Sequence, residues 1–189
     1  MDITWLGQSC FKIQGKETTL VIDPYDSKLG IKLPKKLEAD ILLISHDHYD
    51  HNNKEAVSGD PYIINTPGEY EVKGVQITGI EMFHDKNQGK DRGKTTAYVI
   101  ELDGIKLCHL GDIGQDLSDE EIEKLGDIDV LMIPTGGVYT INAEEAAKII
   151  GEIEPKISIP MHYKIPCLVE KLDTIDKFTD KVKTKTEKS

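Results

Sequence analysis

Arginine is almost absent from this chain: Arg92 is the only one. Basic residues number 23 against 34 acidic, which leaves a formal net charge of −11. A surface of that sign disfavours nucleic acid as a main partner, because neutralising phosphates needs a basic face. A local patch or a bound cation would reverse the field only nearby. Long apolar runs are missing too, and segments such as Ile41 to Ile44 are far too short for a membrane-spanning helix. Met1 to Gln8 contains Asp2 and lacks a basic start followed by an apolar stretch, so no secretory signal is read there. Cysteine is scarce: Cys10, Cys108 and Cys167 are odd in number, widely separated and form no CxxC pair. A reduced, cytoplasmic protein with idle thiols is the expectation. What is present, 189 residues with 38% hydrophobic and 30% charged, suits one globular domain and not a disordered segment.

Short strands are predicted over 3–6, 10–14 and 18–22, the last ended by Asp23-Pro24 because proline cannot continue a central ladder. The apolar run 41–44 predicts a strand buried on both faces. A short helix capped by Asn52 or Asn53 is expected to run to about Val57. Further strands are predicted over 62–64, 70–72, 75–82, 95–102 and 105–110, with Asp103-Gly104 as a two-residue hairpin turn. Ser118 and Glu121 have the spacing of a capping box opening a helix to about Lys124. A buried strand over 130–133 precedes residues 143–153, whose apolar positions recur at helical spacing. A last strand over 157–159 is ended by Pro160, and a final helix is expected near 168–178. Residues 1–180 then form the domain, and 181–189 a polar, Lys-rich tail expected to be frayed. Hairpins mixed with strand–helix–strand units argue for sheets covered by helices.

All six histidines, His46, His48, His51, His84, His109 and His162, fall where a strand ends or just beyond. Scaffolds fix side chains at such edges while leaving them open to water and substrate. His46-Asp-His48-Tyr-Asp50-His51 packs five potential ligands directly after a buried strand. In an extended segment His46 and His48 point the same way and can share one divalent ion. Asp50 and His51, at the start of a helix, diverge from that pair and can serve a second. Imidazole and carboxylate donors without cysteine suit zinc, manganese or iron alike. Taken singly, His84 and His162 also read as ordinary hydrogen-bonded histidines, and Asp112 as a turn residue.

His46-x-His48-x-Asp50-His51 resembles the signature of the metallo-β-lactamase-fold hydrolases. Asp23, His84, Asp112 in His-Leu-Gly-Asp and His162 in Pro160-Met-His-Tyr163 resemble the remaining family motifs in their order, over residues 1 to 165. Leu6-Gly-Gln-Ser9, Asp23-Pro24 and Pro134-Thr-Gly-Gly137 are similar to the small single-domain branch of L-ascorbate-6-phosphate lactonase-like proteins and uncharacterised metal-dependent hydrolases. Gln8 departs from that branch, where histidine is common. The resemblance implies an α/β, four-layer αββα sandwich of two mixed sheets with helices outside. It implies one ion on His46, His48 and His84 and a second on Asp50, His51 and His162, bridged by Asp112 and a water. Zinc comes first, then manganese or iron. Asp23 would support the metal loop from behind, and His109 would orient Asp112 or belong to the core. Seven ligands with two negative charges, Asp50 and Asp112, would leave two divalent ions with excess positive charge, matched by an anionic substrate.

The resemblance further implies a dinuclear hydrolase whose bridging hydroxide attacks an ester, lactone or phosphoester of a small molecule, with Asp50 and Asp112 as its catalytic carboxylates. The other readings are a nuclease, disfavoured by charge, and a non-catalytic metal-binding module. A di-iron oxidoreductase would need a flavin domain for which this chain has no length. Substrate contacts are expected from Arg92 in the loop 85–94, and from Thr140, Tyr163 and Lys164. For each, a purely structural role is the competing reading. A homo-oligomer is compatible with all of these.

Overall fold

The computed structural model describes residues 1–182. Its strands are β1 (Asp2–Gly7), β2 (Cys10–Gln14), β3 (Thr19–Ile22), β4 (Leu37–Glu38), β5 (Ile41–Leu43), β6 (Val57–Ser58), β7 (Tyr62–Ile64), β8 (Gly68–Val72), β9 (Val75–Phe83), β10 (Lys94–Leu102), β11 (Ile105–His109), β12 (Val130–Pro134) and β13 (Ile157–Met161). The helices are α1 (Asp119–Leu125), α2 (Ala143–Ile153) and α3 (Ile175–Thr179). Strand order is β1-β2-β3-β5-β7 in one sheet and β13-β12-β11-β10-β9-β8 in the other, with β4 and β6 paired apart. Both large sheets are mixed, since each joins hairpins to parallel neighbours such as β3–β5 and β11–β12.

The sheets face each other through one core. Phe11, Ile13, Leu20, Ile22, Ile41 and Leu43 of the first meet Ile77, Tyr98, Ile100, Leu107 and Met132 of the second. Tyr98 ties them further, its hydroxyl donating to Ile44 O at 2.8 Å and Ile64 O at 3.2 Å. The run at β5 is buried on both faces as expected: Ile41 and Leu43 enter this core, while Leu42 and Ile44 enter another on the outer side. That outer side is covered by Tyr25, Leu29, Leu37 and Val57, and by Leu168 and Leu172 from the chain's last third. The other sheet's outer face buries Ile141, Ala146, Ile149 and Phe178 of the helical layer. The result is a layered α/β sandwich.

The expected helix start forms, and the structure adds a second of the same kind. Ser118 and Glu121 close a capping box on α1, and Asn142 and Glu145 close one on α2. The Asp103-Gly104 hairpin also forms, both residues taking the positive φ (54° and 78°) that a primed two-residue turn needs. Three expectations are corrected. The segment after His51 is a 3-10 turn at Lys54–Ala56, because the Asn53 amide donates to Tyr25 O at 2.9 Å instead of capping a helix. The final helix shrinks to α3, because Leu168 and Leu172 are buried against the first sheet and Val169 N–H is held by Leu29 O at 2.9 Å. Pro160 does not end β13, which is an edge strand and tolerates a residue without an N–H. Of the expected tail, Lys181 and Val182 donate to Phe178 O at 2.9 and 3.2 Å, and 183–189 lie outside the described residues. No helix among the described residues is long and apolar enough to cross a membrane.

Candidate metal centre

The ends of β5, β9, β11 and β13 lead into His46–His51, His84, Asp112 and His162 respectively. The first of these loops is clamped from two sides. Thr96 N–H donates to Ser45 O at 2.8 Å, while Asp26 N–H donates to Tyr49 O at 3.0 Å. Behind it lies Asp23, fully buried, whose carboxylate accepts from Ser45 N at 2.7 Å, Ser45 Oγ at 2.6 Å and His51 Nδ1 at 2.9 Å. That last bond fixes the His51 ring and turns its Nε2 towards Asp50 and Asp112, at 3.4 and 3.1 Å. Asp23 therefore stands where the motif resemblance put it.

Seven side chains converge in two groups. His46, His48 and His84 form one, and Asp50, His51, Asp112 and His162 the other, with the donor atoms in each within 4.8 Å of one another. His46 Nε2 and His48 Nδ1 are 2.9 Å apart, as the alternation along an extended segment requires. Asp112 Oδ2 lies between the groups: 3.1 Å from the Nε2 atoms of His51 and His162, and 3.6 Å from that of His84. The donor set fits divalent cations. His51 Nε2, which faces Asp50 and Asp112, is buried without a hydrogen-bond partner, an arrangement costly for a polar atom unless something else is coordinated there.

Electrostatics separates the groups. Burial and the neighbouring His51 push His46 down to about 2, and burial also lowers His84. Burial acts against protonation of His162 as well, but Asp112 and Asp50 outweigh it and raise His162 to about 9. His51, facing three carboxylates, is likewise held well above the ordinary imidazole range despite burial. Asp112, whose own burial raises it, ends well below the usual carboxylate range because His162 and His51 flank it.

His109 resolves in favour of orientation. Its Nδ1 accepts from Gly111 N at 3.2 Å and its Nε2 donates to Ser9 O at 2.9 Å, which defines a neutral tautomer. Ser9 Oγ in turn contacts Asp112 Oδ1 at 3.3 Å, so His109 holds both the Asp112 turn and a partner of its carboxylate. Gly111 is required here. Its φ is +56°, and a Cβ would lie 2.4 Å from Thr95 Oγ1 and 3.0 Å from Ser45 Cβ. Gly111→Ala is expected to destabilise by about 3 kcal/mol through overpacking and left-handed strain. Thermal melts would read this as a fall of roughly 6–12 °C. An unchanged melting temperature would contradict the close approach.

The expected substrate contacts divide. Lys164 does not reach the cluster, since its ammonium is spent on the carbonyls of Leu168 and Glu170. Tyr163 packs against Trp5 with ring centroids 5.0 Å apart, and the Thr140 hydroxyl donates to Ile141 O at 3.2 Å. Arg92 lies 4.7 Å from the centroid of the Tyr139 ring. Its loop is wound on Asp85, whose carboxylate accepts from the backbone of Asn87, Gly89, Asp91 and Arg92 at 2.7 to 3.1 Å. Sequence reasoning missed several partners. Gln8, fully buried at φ +52°, donates from Nε2 to Asp50 Oδ2 at 2.9 Å, and Thr95 Oγ1 accepts from Asp112 N at 3.3 Å. Gln8 stands out in the sequence as a departure from related chains, with no partner assigned; nothing local marks Thr95.

The sequence matches the family described as "Beta-lactamase superfamily domain" over residues 2–162. A UPF0173 metal-dependent hydrolase of Thermococcus onnurineus is 33% identical over 86% of this chain and 84% of its own. One of Thermoplasma volcanium is 32% identical over 86% and 83%. Among solved structures, a Thermotoga maritima protein of the metallo-β-lactamase superfamily superposes with TM-score 0.81 at 39% identity, covering 96% of this chain and 86% of that one.

Proposed function

This chain belongs to the metallo-β-lactamase superfamily, and from that premise we propose that it is a hydrolase dependent on two divalent ions, acting on an ester, lactone or phosphoester of a small anionic molecule. The carrying observation is the pair of donor groups joined at Asp112. His46, His48 and His84 would hold one ion, and Asp50, His51 and His162 the other, with Asp112 common to both. Zinc leads, with manganese and iron as alternatives of the same donor chemistry; the Thermotoga maritima relative is described as a candidate Zn-dependent hydrolase. When bound, such a pair acidifies water and polarises the scissile group.

The chain's own residues prepare that chemistry. Asp23 keeps the His51 ring oriented, and Gln8 holds Asp50 by an uncharged donor, leaving the carboxylate free to accept. Asp50, 14% exposed at its side chain, is the acidic group of the cluster nearest to solvent; although burial raises it, His51 and His162 keep it well below the usual carboxylate range, which suits it to orient the attacking water as an acceptor. The chain's net negative charge supports a small-molecule substrate over a nucleic acid.

Metal analysis of the purified protein is expected to find about two ions per chain. A screen of lactones, phosphodiesters and RNA with zinc, manganese and iron is expected to give turnover on a lactone or a small phosphoester. No bound metal after reconstitution would reject the reading. Cleavage of RNA alone would replace it with a nuclease.

A further inference from the structure

Four separate segments meet at the rim of the metal cluster. Tyr49 sits in the chain between His48 and Asp50, Arg92 follows His84 by one loop, Tyr139 precedes α2, and Glu170 belongs to the stretch after His162. The Tyr49 hydroxyl donates to Glu170 Oε1. Glu170 is also the foremost charge acting on the Tyr139 phenol, followed by those of Arg92 and Asp50. Tyr49 is 45% exposed, so water would satisfy its hydroxyl, and burial does not impose the contact with Glu170. The carboxylate is placed there by its own backbone: Lys164 Nζ donates to Glu170 O at 2.8 Å and Val169 N–H to Leu29 O at 2.9 Å.

Arg92 is the unusual member. Among the described residues it takes part in no ion pair, although the chain carries 34 acidic residues. Its backbone N–H is pinned to Asp85 Oδ2 at 2.8 Å, and its guanidinium rests over Tyr139. A planar cation held over the Tyr139 ring by a rigid loop is a fitting receptor for an oxyanion. A carboxylate, Glu170, already accepts from the neighbouring Tyr49 phenol.

We propose that Tyr49, Tyr139 and Arg92 form an anion subsite beside the metal cluster, which takes a carboxylate or phosphate group of the substrate, and that Glu170 is its internal occupant, displaced when that group arrives. This deepens the hydrolase reading and rests on it for the identity of the ligand. It also explains why the solitary arginine is unpaired: its partner is the substrate. Residues around the mouth thus select for charge, while the cluster performs the chemistry.

The test is calorimetric titration of the full chain with inorganic phosphate, in metal-loaded and metal-stripped protein. Glu170→Ala is expected to tighten phosphate binding about tenfold, the size of one like charge removed from beside an anion. Glu170→Gln, which keeps the shape and hydrogen bonding, is expected to tighten it less. Adding Arg92→Ala should erase the gain. The gain should persist without metals, because the chain alone builds the subsite. Unchanged affinity in both Glu170 variants, a gain that survives Arg92→Ala, or a gain seen only with metals would each overturn the subsite. Turnover in the hydrolase screen with no change in phosphate binding sinks the subsite alone. Tightened binding in a protein that hydrolyses nothing sinks the hydrolase reading and leaves the anion site standing.

Discussion

Asp112→Ala is expected to reduce turnover by about 10³-fold or more, since it removes the several kcal/mol of charge stabilisation that a shared ligand provides. Among the described residues its Oδ2 is the carboxylate oxygen that approaches imidazoles of both groups, at 3.1 Å from His51 and His162 and 3.6 Å from His84. No other carboxylate can replace it: Asp50 approaches only His51 and His162, at 3.4 and 3.9 Å, and Asp23 is occupied by Ser45 and His51. Asp112→Asn separates charge from shape. It retains the Thr95 contact of the backbone and an oxygen for Ser9, but not the negative charge. Metal content in Asp112→Asn should fall while the circular dichroism spectrum stays close to wild type and the melting temperature falls no further than metal-stripping lowers the wild type. Wild-type turnover with full metal content in either variant would show that the two groups do not act as one centre.

How much of this could be read before the fold was known depends on how local each signal is. The metal loop is five candidate ligands within six positions, so its chemistry is dense enough to recognise on its own. The capping box of α1 and the Asp103-Gly104 turn are equally local, because a few adjacent residues satisfy their own backbone. His84, Asp112 and His162 are isolated in sequence, and motif order alone placed them. Gln8, Thr95 and Ser9 act on ligands that are 42, 17 and 103 residues away. No pattern of spacing announces such contacts, since they arise where strand ends from two sheets are packed together. The failed helix at 168–174 has the same origin. Leu168 and Leu172 look like one face of a helix, yet tertiary burial against Leu29 and Val21 claims them. Lys164 shows the opposite case: its position beside His162 suggested substrate, while its ammonium donates to the carbonyls of its own segment.

Acid should strip the two ions in order, the one at His162 first. A metal requires a neutral imidazole, so protons compete wherever the metal-free histidine binds them tightly. At Asp50, His51, Asp112 and His162 the carboxylates keep His51 and His162 protonated, the latter until about pH 9. Affinity of this group therefore rises with pH up to that value. At the other group burial already holds His46 near 2 and lowers His84, so protons compete less for those two imidazoles than for His51 and His162. Dialysis against a weak chelator at about pH 5.5 is expected to leave about one ion per chain, against about two at about pH 8. His84→Ala should lose the ion that survives acid. The metal-free protein should respond in the opposite sense. A pKa raised on folding contributes stability that is complete below the unfolded value, about 6.5, and is lost as pH rises towards about 9. Stripped protein should thus melt at a lower temperature at alkaline pH than near pH 6, and the loaded protein should not. Simultaneous loss of both ions on acidification, or identical pH dependence of the two melts, would mean that the carboxylates do not divide the cluster in this way.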